Sequence, residues 1–84
     1  MTEVYRIVEI DGKDECYLFC GEAPYQPGLY VASVLHWKRR ADASEMAAQH
    51  FSSTKSLADA KKKAEDWVKK TLFQTYRETL LREA

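Results

Sequence analysis

Ser56 and Asp59 stand three residues apart at the head of a stretch in which Leu57, Ala60, Ala64, Trp67 and Val68 recur at helical spacing. A serine hydroxyl at a helix start accepts a backbone N–H of the first turn, and an acidic residue three positions on completes a capping box. Advanced by 100° per residue, the apolar side chains fall in a sector of about 100°. The stretch predicts a helix with one face to bury. Carried further at the same angle, Phe73, Tyr76 and Leu80 lie about 120° or more from the centre of that sector. Either the chain bends at 70–72, or Leu72, Phe73, Tyr76 and Leu80 face another protein. The second reading makes 72–84 a helical extension used in oligomerisation, with those four residues as the partner-binding set.

What the helix packs on is written in the preceding residues. Val4 to Ile10 and Tyr17 to Cys20 are rich in β-branched and aromatic side chains, and Asp11-Gly12 between them is a turn signal. Residues 3–10 and 15–20 are expected to form a hairpin whose second strand directs Cys16, Leu18 and Cys20 to the core and Tyr17 and Phe19 to the other face. GEAPYQPG, 21–28, has two glycines and two prolines and reads as a loop, with Tyr25 packed as its anchor. Leu29 to Trp37 is the best central strand: Val31, Leu35 and Trp37 share one face, and Tyr30, Ala32, Val34 and His36 the other. Both faces are apolar enough to be covered. Residues 46–52 read as a further strand, with Phe51 inward, or as a short helix, which the alanines favour. Met46 and Phe51 fit either core packing or a ligand pocket.

The 84 residues suffice for one core and not two, so 1–84 is expected to be a single small domain. The expected fold class is α+β: a three- or four-stranded antiparallel sheet followed by a long C-terminal helix packed on one face. Thirteen basic and thirteen acidic residues balance overall. Residues 1–30 carry a formal −4 and residues 31–84 a formal +4, an asymmetry that can orient a partner. No 18-residue apolar run and no leader-like apolar region is present, so no membrane association and a cytoplasmic location are expected. Cys16 and Cys20, on one strand, lie roughly 13 Å apart at about 3.3 Å per residue, too far for a disulfide. Reduced thiols are expected.

Catalysis needs groups placed around one reacting centre. The chain has no P-loop, no GxGxxG, no nucleophile elbow and no HExxH. Cys16, Cys20, His36 and His50 are the only residues of their types. A four-ligand zinc site would need C-x3-C thiols on a strand to converge, which that spacing opposes. A Cys–His pair oriented by Asp42 or Glu45 has no motif to position it. No catalytic residue, metal or cofactor is nominated.

Basic residues suggest a different class. Trp37 stands before Lys38, Arg39 and Arg40, and Lys61, Lys62 and Lys63 lie on the helix. Lysines and arginines hold phosphates, and an aromatic ring stacks on a base. Asp59–Lys63, Glu65–Lys69 and Asp66–Lys70 at i,i+4 mute the helical charge. The strand–strand–strand–helix order of residues 15–70 resembles part of double-stranded RNA-binding domains and the small arm-type DNA-binding domains preceding some phage integrases. That resemblance implies nucleic-acid binding. In the RNA-binding family a basic cluster opens the final helix. Here Ser56-Leu57-Ala58 stands there, and the family's first helix is missing.

The expected function is a noncatalytic protein-interaction or homo-oligomerising module, acting as a homodimer or with another protein. The alternatives are a nucleic-acid-binding module using Trp37, Lys38, Arg39, Arg40, Lys61 and Lys62, and an unfamiliar small enzyme or small-molecule binder.

Overall fold

A computed structural model of the chain describes residues 2–12, 14–39 and 44–82, the side chains of Lys38 and Arg39 excepted. Strands β1 (Thr2–Glu9), β2 (Glu15–Glu22), β3 (Tyr30–Arg39) and β4 (Ser44–His50) precede helix α1 (Leu57–Thr71), and strand β5 (Tyr76–Arg82) follows it. The five strands form one antiparallel sheet in the order β4-β3-β2-β1-β5.

The β1–β2 hairpin turns where Asp11-Gly12 indicates, with the Glu9 N–H donating to the Asp14 carbonyl at 3.0 Å. Asp11, not Gly12, takes the left-handed angle, φ 61°. A side chain at Gly12 would meet only the flexible end of the Glu9 side chain. In the 23–29 loop the Ala23 N–H donates to the Leu29 carbonyl at 2.8 Å and closes the turn. Tyr25 is no anchor: it sits at φ 63° with its side chain fully in solvent. The Ala23–Leu29 hydrogen bond and the left-handed Gly28, φ 83°, hold the loop instead.

Helix α1 opens as its sequence requires, with the Asp59 N–H donating to the Ser56 hydroxyl at 3.0 Å. Ala60, Ala64 and Val68 are buried against the sheet, and Leu57 and Trp67 pack at the margin of the core. The sheet face beneath contributes Tyr5, Ile7, Cys16, Leu18, Cys20, Ala32 and Val34 to that core, all buried. Trp67 lies 6.0 Å from Phe51 and 5.3 Å from the buried ring of His36.

The helix is shorter than expected, and the sheet has five strands rather than three or four. At Thr71 the chain stops helical pairing: the N–H groups of Leu72 and Phe73 both donate to the Val68 carbonyl at 2.9 Å. Phe73 then drops into the core at 6% exposure. Residues 76–82 are a strand, not a helical extension, and pair with β1 through Glu9↔Tyr76, Ile7↔Glu78 and Tyr5↔Leu80. Two physical terms favour this end. Phe73 points away from the stripe of a straight helix and reaches the core only if the helix ends. The free edge of β1, flanking the fully buried Ile7, gains hydrogen-bond partners when the chain returns extended. Thr75, Tyr76 and Thr79 suit that conformation. The register slips once, between Val4 and Tyr5, leaving Leu81 between Leu80 and Arg82, the partners of Tyr5 and Val4.

Candidate binding face

Alternation along each strand sends odd and even residues to opposite sides of the sheet, and α1 covers one side. The register builds the other side from rows running across the strands. Thr79, Arg6, Tyr17, Leu35 and Ala48 form one row. Val4, Phe19, Ser33 and His50 form the next, and Trp37 pairs with Met46 toward the opposite end. None of these side chains is buried. Trp37 is 44% exposed and Met46 55%. Val4, Tyr17, Phe19, Val31 and Leu35 are half-buried by their neighbours within the sheet.

The contrast between the two sides defines the site. Beneath α1 the strands present buried side chains, and on the open side they present Tyr17, Phe19, Val31, Leu35, Trp37 and Met46 to solvent. The Tyr17 and Trp37 rings meet at 6.4 Å and 57°, a tilted aromatic contact. Among the described side chains, charge on this face stands toward the β1–β5 margin. Arg6 donates through Nε to the Glu15 carboxylate at 2.8 Å, with Nη2 at 2.6 Å, and Arg77 lies beside Val8 on the adjoining strand. The described side chains of this face thus form an apolar centre with a charged edge.

The structure disperses the partner-binding set expected from the sequence, and of the nucleic-acid set it separates Trp37 from Lys61 and Lys62. Of the partner-binding set, Phe73 is core, Leu72 and Tyr76 pack half-buried against it, and Leu80 is exposed on the edge strand β5. Of the nucleic-acid set, Trp37 lies on the open face. Lys61 and Lys62 belong to the helical layer on the other side. Lys61 is engaged there, 3.1 Å from the Glu78 carboxylate and 4.1 Å above the Tyr5 ring. Lys38 and Arg39 close β3, but their side chains, like Arg40 and Asp42, lie outside the described residues. The open face was legible only in part: β3 was expected to be apolar on both sides, but the rows that Tyr17 and Phe19 complete require the register.

Reactive groups are not assembled. Cys16 and Cys20 are free and buried, and burial raises the first thiol to about 12 and the second to about 11, so both hold their protons at neutral pH. His36 pairs across the sheet with Cys16 on the helix side, whereas His50 is exposed on the open face. These four residues cannot converge on one ion. Among the described residues no three potential ligands gather, and no helix is long and apolar enough to cross a membrane.

A second polar cluster lies between α1 and β5. Burial raises the Glu65 carboxyl to about 7, aided by a hydrogen bond to the Glu78 carboxylate and by its charge, with Lys61 and Lys69 opposing. Tyr76 is raised to about 12 by burial and by the same two carboxyl groups. Lys69 approaches the Tyr76 ring at 5.9 Å.

Comparison of the chain with protein-family models, curated proteins and solved structures found no match.

Proposed function

We propose that this chain is a noncatalytic protein-interaction module that docks through the open face of its sheet. The observation that carries the reading is the exposure of Trp37 and Met46 beside Tyr17, Phe19 and Leu35, on the side that α1 does not cover. An apolar patch of this extent is costly in water and marks a contact surface. Thiols held protonated by burial support a noncatalytic reading.

The test is site-specific photo-crosslinking in the native host. A photoreactive amino acid at Met46 should give crosslinks to protein, and the same group at Lys62, on the outer side of α1, should not. Crosslinks from both positions alike, or from neither, would remove the open face as a docking surface.

A further inference from the structure

We infer that the partner seated on the open face is a second copy of this chain, packed sheet against sheet with the two helices outward. The inference rests on the docking role assigned to that face, and two properties of the face select the occupant.

The first is charge. A surface that meets its own copy must not oppose like charges at its centre. The central rows from β2 to β4 are Tyr17, Leu35 and Ala48, then Phe19, Ser33 and His50, beside Trp37 and Met46, with no carboxylate, lysine or arginine among them. Among the described side chains, the charged groups of this face stand toward the β1–β5 side, where Glu15 already neutralises Arg6. A copy can therefore cover the centre without burying an unpaired charge. A single-stranded nucleic acid fits less well. It needs cations flanking the stacking rings. Of the described cations, Arg6 is paired with Glu15, Arg77 and Arg82 stand at the β5 edge away from Trp37, and Lys61 and Lys62 lie on the other side of the sheet.

The second is area. Five strands at roughly 4.8 Å spacing, and about seven residues at roughly 3.3 Å rise, give a face of about 24 by 23 Å. That is a footprint of about 550 Å² per copy before side-chain relief is added, the β1–β5 margin with Arg6, Arg77 and Arg82 included as a polar rim, so two copies approach the lower bound of about 1,200 Å² for specific interfaces. Sheets packed in this way stand about 10 Å apart, the distance that interlocking Trp37, Met46, Leu35 and Tyr17 side chains span. Homodimer interfaces are also the more apolar class, as this face is.

Sedimentation equilibrium on the full chain from 1 to 200 µM tests the inference. The expected result is a concentration-dependent rise from monomer to dimer mass. Met46→Glu and Trp37→Glu should each weaken association at least tenfold, and Lys62→Glu should leave it unchanged. Met46 is more than half exposed at an outer strand, so its variant keeps the fold, which circular dichroism verifies. A monomer at every concentration overturns the second copy. If Met46 crosslinks in the host then go to a different protein, the docking role survives, and if they go to no protein, both readings fall. A dimer that resists Met46→Glu and Trp37→Glu but dissociates with Leu80→Lys places the contact at the β5 edge and overturns the inference. Binding of a labelled oligonucleotide that competes with association and weakens with salt would also overturn it, in favour of a nucleic-acid surface.

Discussion

The Glu65 carboxyl makes stability depend on pH in a direction opposite to that of most acidic groups. It ionises near 4.5 when free of its surroundings and near 7 in the folded chain, because it is partly buried and hydrogen-bonded to Glu78. Between those values the folded state keeps a proton that the unfolded chain has released. Stability therefore falls as pH rises from about 4.5 to about 7 and is level above that range. The full shift would be worth roughly 3 kcal/mol at about 1.4 kcal/mol per unit. Glu65 is only half-buried, and solvent screening reduces the figure to about 1 kcal/mol. Glu65→Gln keeps a neutral hydrogen-bonding group in the same place. Its stability should match the parent near pH 4.5 and exceed it by about 1 kcal/mol at pH 8. Urea unfolding followed by tryptophan fluorescence resolves this, since a chain of this size loses roughly 1 kcal/mol per molar urea, so the midpoints should diverge by about 1 M. Measurements in a Met46→Glu background hold association constant. A midpoint difference that is the same at every pH would refute the reasoning, because a constant offset is a packing effect and not a proton.

Three further outcomes follow from the packing. Phe73→Ala should destabilise by about 3–4 kcal/mol in denaturant unfolding, the cost of a cavity beside Val68; a loss below about 1 kcal/mol would mean that Phe73 is not in the core. Ser56→Ala should cost about 1 kcal/mol by removing the acceptor for the Asp59 N–H, with the helical signal retained. Cys16 and Cys20 should resist a thiol reagent at pH 8 in the folded protein and react within the mixing time in strong denaturant. Rapid reaction of either under native conditions would contradict their burial.

The elements most readily read from the sequence are those whose signal is local. The Ser56 cap, the Ala60–Ala64–Val68 stripe and the Asp11-Gly12 turn each depend on residues a few positions apart, and the structure follows all three. Strand β5 depends on something distant. Phe73, Tyr76 and Leu80 satisfy a helical period as well as Tyr76, Glu78 and Leu80 satisfy a strand period. What decides between them is the unpaired edge of β1, some seventy residues earlier in the chain. The helix stripe and the distal stripe conflicted in angle, and that conflict marked the place where the helix ends. Tyr25 departs from expectation for a related reason: its ring suggests burial, but its backbone lies in the left-handed region and its side chain is fully exposed.

The binding face shows a further limit of local reading. Strand β3 is apolar on both sides, with Ala32 and Val34 on one and Val31, Leu35 and Trp37 on the other, which is the pattern of a strand meant to be covered twice. One fifteen-residue helix covers one side. With β5 returning to the edge of the same sheet rather than over its open side, no described element of this chain crosses the second face. The apolar inventory therefore exceeds what the chain's described elements bury, and the excess is concentrated in adjoining rows on β2, β3 and β4 rather than scattered. Scattered exposed apolar residues need no explanation, whereas contiguous rows around a tilted aromatic pair do. A sequence that places a second set of apolar residues on its central strand has in effect specified a second layer, and the centre of this face, free of charge, suits another copy of itself.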